Sequence, residues 1–92
     1  MPKKAMSPRE RQDREFLAAL RAGQSRLGEQ DANTYQFMPD SKSTYYRRIQ
    51  EPEKFTIRDL RILAQRYKFT DYQLCQIIGV EYHGRTTEQE AV

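Results

Sequence analysis

Ninety-two residues with a net charge of +3, one cysteine and no tryptophan make a chain long enough for a single domain. Its longest unbroken apolar run, Phe16 to Leu20, is five residues, against the roughly 20 that a membrane span needs. Met1 to Met6 carries two lysines with no apolar stretch behind them, and Cys75 alone cannot close an internal disulfide. Secreted, membrane and disulfide-stapled proteins are therefore excluded, and a cytoplasmic location is expected.

Helix starts are the clearest signals in chain order. Ser7-Pro8-Arg9-Glu10 combines an N-cap serine, proline at the first helical position and a capping-box glutamate. It predicts a helix from about Pro8 to Ala22, ended by Gly23, with Phe16, Leu17 and Leu20 on one stripe. Residues 25–37 hold a weak helical pattern (Leu27, Ala32, Tyr35, then Met38) interrupted by Gly28 and broken by Met38-Pro39. Asp40 or Ser41 then caps a helix from Lys42 to about Gln50, whose inward residues are expected to be Tyr46 and Ile49. Pro52 closes it, and residues 50–55 read as a connector. Thr56 opens the next helix, to about Tyr67, with Phe55 placed to staple onto Leu60. Thr70 opens the last, carrying Leu74, Cys75, Ile77 and Ile78 and stopping at Gly79, with Phe69 stapling onto Leu74. Cys75 reads as a buried small hydrophobe. The expected fold is all-α, five short helices over residues 8–80, between a flexible basic arm (1–7) and a disordered polar tail (81–92).

Charge follows the same order. Residues 1–24 sum to +3, 25–40 to -2, 41–68 to +5 and 69–92 to -3. Such a basic block is either a solvated helix face or the footprint of a polyanion. Within it, Ser41-Lys42-Ser43-Thr44-Tyr45-Tyr46-Arg47-Arg48-Ile49 opens with short hydrogen-bonding side chains and a lysine, then turns two arginines outward. Small donors at the N-terminal end suit a helix entering the major groove, where its backbone comes closest to base edges.

Ser41 to Leu63, S-K-S-T-Y-Y-R-R-I-Q-E-P-E-K-F-T-I-R-D-L-R-I-L, resembles the back half of a lambda-repressor-like (Cro/XRE-type) helix-turn-helix domain. The likeness is to the small regulators of phages and mobile elements and runs from about Pro39 to Gly79. It implies sequence-specific binding of double-stranded DNA by a recognition helix over about residues 41–50, in a transcriptional regulator that is a repressor before an activator. Lys42, Ser43, Thr44 and Arg48 then fall on base-reading positions, with Arg47 beside them. Ser41, Tyr45, Lys54 and Arg58 are the expected backbone contacts. One such helix spans few base pairs, so a homodimer on a two-fold site is expected. The front half departs from the pattern: Tyr35 occupies a site where a small residue is usual, and Pro39 stands where glycine is common.

Each of these residues has a plainer reading. Lys42, Ser43 and Thr44 also serve as capping and surface residues, and Arg47 and Arg48 as ion-pair partners of Glu51 or Glu53. Tyr45 and Tyr46 both suit a core. A protein-interaction or adaptor module, antitoxin-like or from a phage, is the alternative, in which the fold is kept without DNA binding. An enzyme is not expected. His83, the one histidine, sits in a polar stretch, and one cysteine with one histidine falls short of the roughly four ligands zinc takes. No cofactor, metal, membrane or small-molecule substrate is expected.

Overall fold

Ser7 behaves as its neighbours require. Its hydroxyl accepts from the Glu10 amide (3.2 Å) while its own amide donates to the Glu10 carboxylate (2.9 Å). In this computed structural model, which describes residues 6–83, that capping box opens α1, Pro8–Leu27. The expected stop at Gly23 is not one. Gly23 lies inside α1 and is buried, and a Cβ added there would stand 2.3 Å from the Tyr67 Cβ. The glycine therefore admits a side chain from another helix. The helix ends instead at Gly28, whose left-handed backbone (φ 67°) only glycine adopts freely.

The weak pattern over residues 25–37 divides accordingly. Its first residues complete α1, and the remainder forms a single turn, α2 (Asp31–Thr34), continuing as a 3-10 turn, Tyr35–Phe37. Ser41, rather than Asp40, caps α3 (Lys42–Gln50). Pro52 opens a 3-10 turn, Pro52–Lys54, and is buried. Reciprocal caps from Thr56 and Asp59 start α4 (Ile57–Tyr67), and from Thr70 and Gln73 start α5 (Asp71–Ile78). Gly79 stops α5 in the left-handed region (φ 91°), while α4 ends on Lys68 at φ 53°. Among the described residues the fold is all-helical, with five α-helices and no strand. The expected arm up to residue 5 and tail from residue 84 lie outside those residues.

α1 is the central element and packs against α4 and α5. Phe16, Ala19 and Leu20 of α1 meet Leu63 and Tyr67 of α4 and Phe69, with Ile49, Phe55, Leu60, Leu74 and Ile77 packed around them. Each fully buried large apolar side chain contributes about 1.5–3 kcal/mol. Phe55, expected as a staple, is also a bridge between layers. Its ring lies 5.1 Å from that of Phe16 and 6.0 Å from that of Tyr45. The inward tyrosine of α3 is consequently Tyr45 (1 % exposed), and Tyr46 is half-buried. Cys75 is half-buried as well.

Beside this apolar core runs a polar one. The buried Gln24 amide donates to Asp31 (3.0 Å) and Thr34 (2.9 Å); the Thr34 hydroxyl lies 2.5 Å from that of Tyr67, which donates to Glu29 (2.8 Å). Arg21 and the Tyr45 hydroxyl complete the shell of Asp31, at 2.7 and 2.8 Å. Burial works against the Asp31 carboxylate, but donation from Arg21, Gln24 and Tyr45 outweighs it and holds its pKa below the usual value. This network ties the short α2 to α1, α3 and α4.

Candidate nucleic-acid interface

α3 turns three kinds of residue in three directions. Tyr45 and Ile49 point to the interior, Ser43, Arg47 and Gln50 are exposed, and Thr44 and Arg48 occupy one flank. Residues four and three apart share a helix face, so Ser43, Arg47 and Gln50 form one outward spine about two turns long. Gln50 was missed in the sequence because it falls at the helix end. Its spacing of three from Arg47 and seven from Ser43 is the signal that finds it.

The N-terminal turn is held by its own hydroxyls. Ser41 Oγ accepts from the Thr44 amide (3.3 Å) and lies 3.2 and 3.1 Å from the hydroxyls of Ser43 and Thr44. Ser41 is therefore occupied in capping, while Ser43 stays exposed and Thr44 half-buried. Lys42 is exposed, with its ammonium 5.7 Å from the centre of the Tyr35 ring.

Two expected contacts are corrected. Tyr45, expected at the DNA backbone, is buried in the core with its hydroxyl committed to Asp31. Burial and that bond raise its pKa far above the ordinary phenol value. No phosphate can reach it. Arg48, expected at a base, instead bridges two carboxylates, Asp40 at 2.6 Å and Asp59 at 2.7 Å. Asp59 is fully buried and also accepts from the Thr56 amide (3.1 Å), so Arg48 ties α3 to the start of α4. The reason is rotational. Arg48 lies one residue short of Ile49 and so on the flank that faces α4, while Arg47 lies on the outward side.

Nor do the arginines pair with Glu51 or Glu53. Glu53 is taken by Arg9, and among the described residues Arg47 has no ion pair. Thr44, Arg47, Arg48, Glu51 and Lys54 line one open hollow of about 500 Å³. The structure thus brings Arg47, Thr44 and Lys54 together beside the outward spine. Arg58 is exposed on the first turn of α4 and does not line that hollow. Comparison with known protein families, with curated proteins and with solved structures finds no match for this chain. An exposed row of hydroxyl, guanidinium and amide, flanked by lysines, can donate to base edges and phosphates together. Among the described residues there is no group of three or more potential metal ligands, and no helix is long and apolar enough to cross a membrane.

Proposed function

We propose that this chain binds double-stranded DNA with sequence preference, α3 entering the major groove, as a small regulator of the lambda-repressor-like, Cro/XRE helix-turn-helix kind. The observation that carries the reading is Arg47. Among the described residues it stands exposed and without a carboxylate partner, in the middle of the Ser43–Arg47–Gln50 row, where an arginine can hold guanine O6 and N7 together. Ser43 and Thr44 accompany it at base edges, with Lys54 and Arg58 on phosphates and Lys42 at the rim of the groove. α3 has nine residues and covers only a few base pairs, so two copies on a two-fold site supply the affinity. Site occupancy near a promoter makes such a protein a repressor before an activator.

The rival reading, an interaction module without DNA binding, draws on one feature. Exposed Ile57 and Ile78 border an apolar hollow of about 180 Å³ between α1, α4 and α5. Selection from random duplex DNA followed by a salt titration separates the two. If four to six phosphates are neutralised, log K falls against log salt with a slope of roughly -4 to -5. Arg47→Ala should then weaken the selected site by about 1–3 kcal/mol and relax one base position. No binding at low salt, or a slope near zero, overturns the DNA reading and favours the rival. Arg48→Ala is the wrong probe of base reading, because it strands the buried Asp59 carboxylate and is expected to destabilise the fold by about 3–5 kcal/mol.

A further inference from the structure

Tyr35 and Tyr46 stand together at the N-terminal edge of α3, one on the 3-10 turn that precedes the helix and one on its second turn. Their ring centroids are 6.5 Å apart at a tilt of 48°, and the Lys42 ammonium sits over the Tyr35 ring. Tyr46 is packed edge-on against Tyr45 (5.4 Å, 84°), whose hydroxyl is anchored on Asp31. The corner is therefore mounted on the polar core and not on a loose surface. Both tyrosines are half-buried, yet among the described residues neither hydroxyl has a hydrogen-bond partner. Nor is either hydroxyl sealed from solvent, since among the described residues the one buried side-chain atom lacking a partner is Asp59 Oδ1. The carboxylates behind them are spoken for: Asp31 by Arg21, Gln24 and Tyr45, and Glu29 by Arg66 and Tyr67.

Two tyrosine hydroxyls with no partner among the described residues, and an ammonium over one of the two rings, can donate to the oxygens of a phosphodiester. We propose that Tyr35, Lys42 and Tyr46 grip the sugar-phosphate backbone of duplex DNA at the edge of the groove that α3 enters. The proposal rests on the reading of α3 given above and moves Lys42 from the rim of the groove to the backbone. Base stacking is disfavoured because the rings are already engaged, Tyr35 under Lys42 and Tyr46 against Tyr45. What these residues have left to offer is their hydroxyls.

Neutral donors and a cation leave different marks on a salt titration. A phenol bond to phosphate adds affinity without releasing a counterion, whereas each lysine that neutralises a phosphate adds about 0.9 to the slope. The test compares the full chain with Tyr35→Phe, Tyr35→Phe/Tyr46→Phe and Lys42→Ala on the selected duplex, on random duplex and on single-stranded oligonucleotide. Phenylalanine keeps the ring packing, and thermal melts confirm that each variant is folded. The double variant is expected to lose roughly tenfold in affinity, equally on every duplex, with the slope unchanged. Lys42→Ala is expected to lower the slope by about one. Duplex binding that is unaltered in the phenylalanine variants overturns this proposal alone and leaves the role of α3 standing. Tighter binding of the single strand, insensitive to Tyr→Phe, overturns it in favour of stacking. Absence of duplex binding by the unsubstituted chain overturns both.

Discussion

Gly23 shows how one residue can carry opposite meanings in sequence and in space. A glycine after a helical run reads as a stop, yet here it lies inside α1 where the Tyr67 side chain of α4 packs against the helix. An added Cβ would meet Tyr67 Cβ at 2.3 Å, Cγ at 2.7 Å and Cδ1 at 2.9 Å. The Tyr67 ring cannot swing clear without breaking its hydrogen bonds to Thr34 and Glu29. Helix propensity favours alanine over glycine by about 1 kcal/mol, but overpacking a core costs about 1–3 kcal/mol and the tyrosine network would be disturbed as well. Gly23→Ala is therefore expected to destabilise by about 2 kcal/mol net. Denaturant titration decides it: a gain in stability would mean that α1 and α4 do not approach this closely.

At the scale of elements, the caps were legible because they act within four residues. Ser7, Ser41, Thr56 and Thr70 all accept from the backbone amide three residues on, as their sequence neighbourhoods predict. The C-terminus of α4 was legible too, but not what it costs. Lys68 closes the helix in the left-handed region at φ 53°, where a residue with a Cβ is strained by roughly 1–2 kcal/mol. Arg26 of α1 partly compensates by donating to the Tyr67 carbonyl at the negative end of the helix. Lys68→Gly should relieve the strain, less the larger entropy glycine loses on folding, for a gain of about 0.5–1 kcal/mol. The melting temperature is then expected to rise by several degrees. A fall instead would assign Lys68 a stabilising contact that outweighs its backbone.

For the whole molecule, the polar core makes stability depend on acid. The Arg66 guanidinium, with help from the Tyr67 hydroxyl, holds the Glu29 carboxyl below its ordinary pKa, and the hydrogen bonds of Asp31 do the same there. A carboxyl with a lower pKa in the folded state contributes stability that is complete above its unfolded value, about 4, and disappears as pH falls through the folded value. Asp13 has the opposite sign. Burial, then repulsion from Glu53, raise its pKa, so its charge opposes folding at neutral pH and ceases to do so in acid. Melting curves from pH 7 to 2 should hold level down to about pH 5 and then fall. Asp31→Asn should flatten that fall, whereas Asp13→Asn should raise the neutral-pH melting temperature with no gain at pH 2. A profile unchanged by Asp31→Asn would remove the network as the source of acid sensitivity.

The starts of α1, α3, α4 and α5 and the all-α class were determined by the sequence, because capping and periodicity are local and act over one or two turns. The basic block around α3 was equally plain, since charge needs no coordinates to be counted. What the chain could not reveal is which way each residue of α3 faces. Tyr45 and Tyr46 are adjacent and chemically identical, and only contact with Phe55 and Asp31 decides that Tyr45 goes inward. Arg47 and Arg48 are likewise interchangeable until Asp59, eleven residues beyond Arg48 and fully buried, claims one of them. A rotation of about 100° per residue separates a groove contact from a structural ion pair. That rotation is set by the partners α3 meets on other elements, which is why only the tertiary structure could decide it.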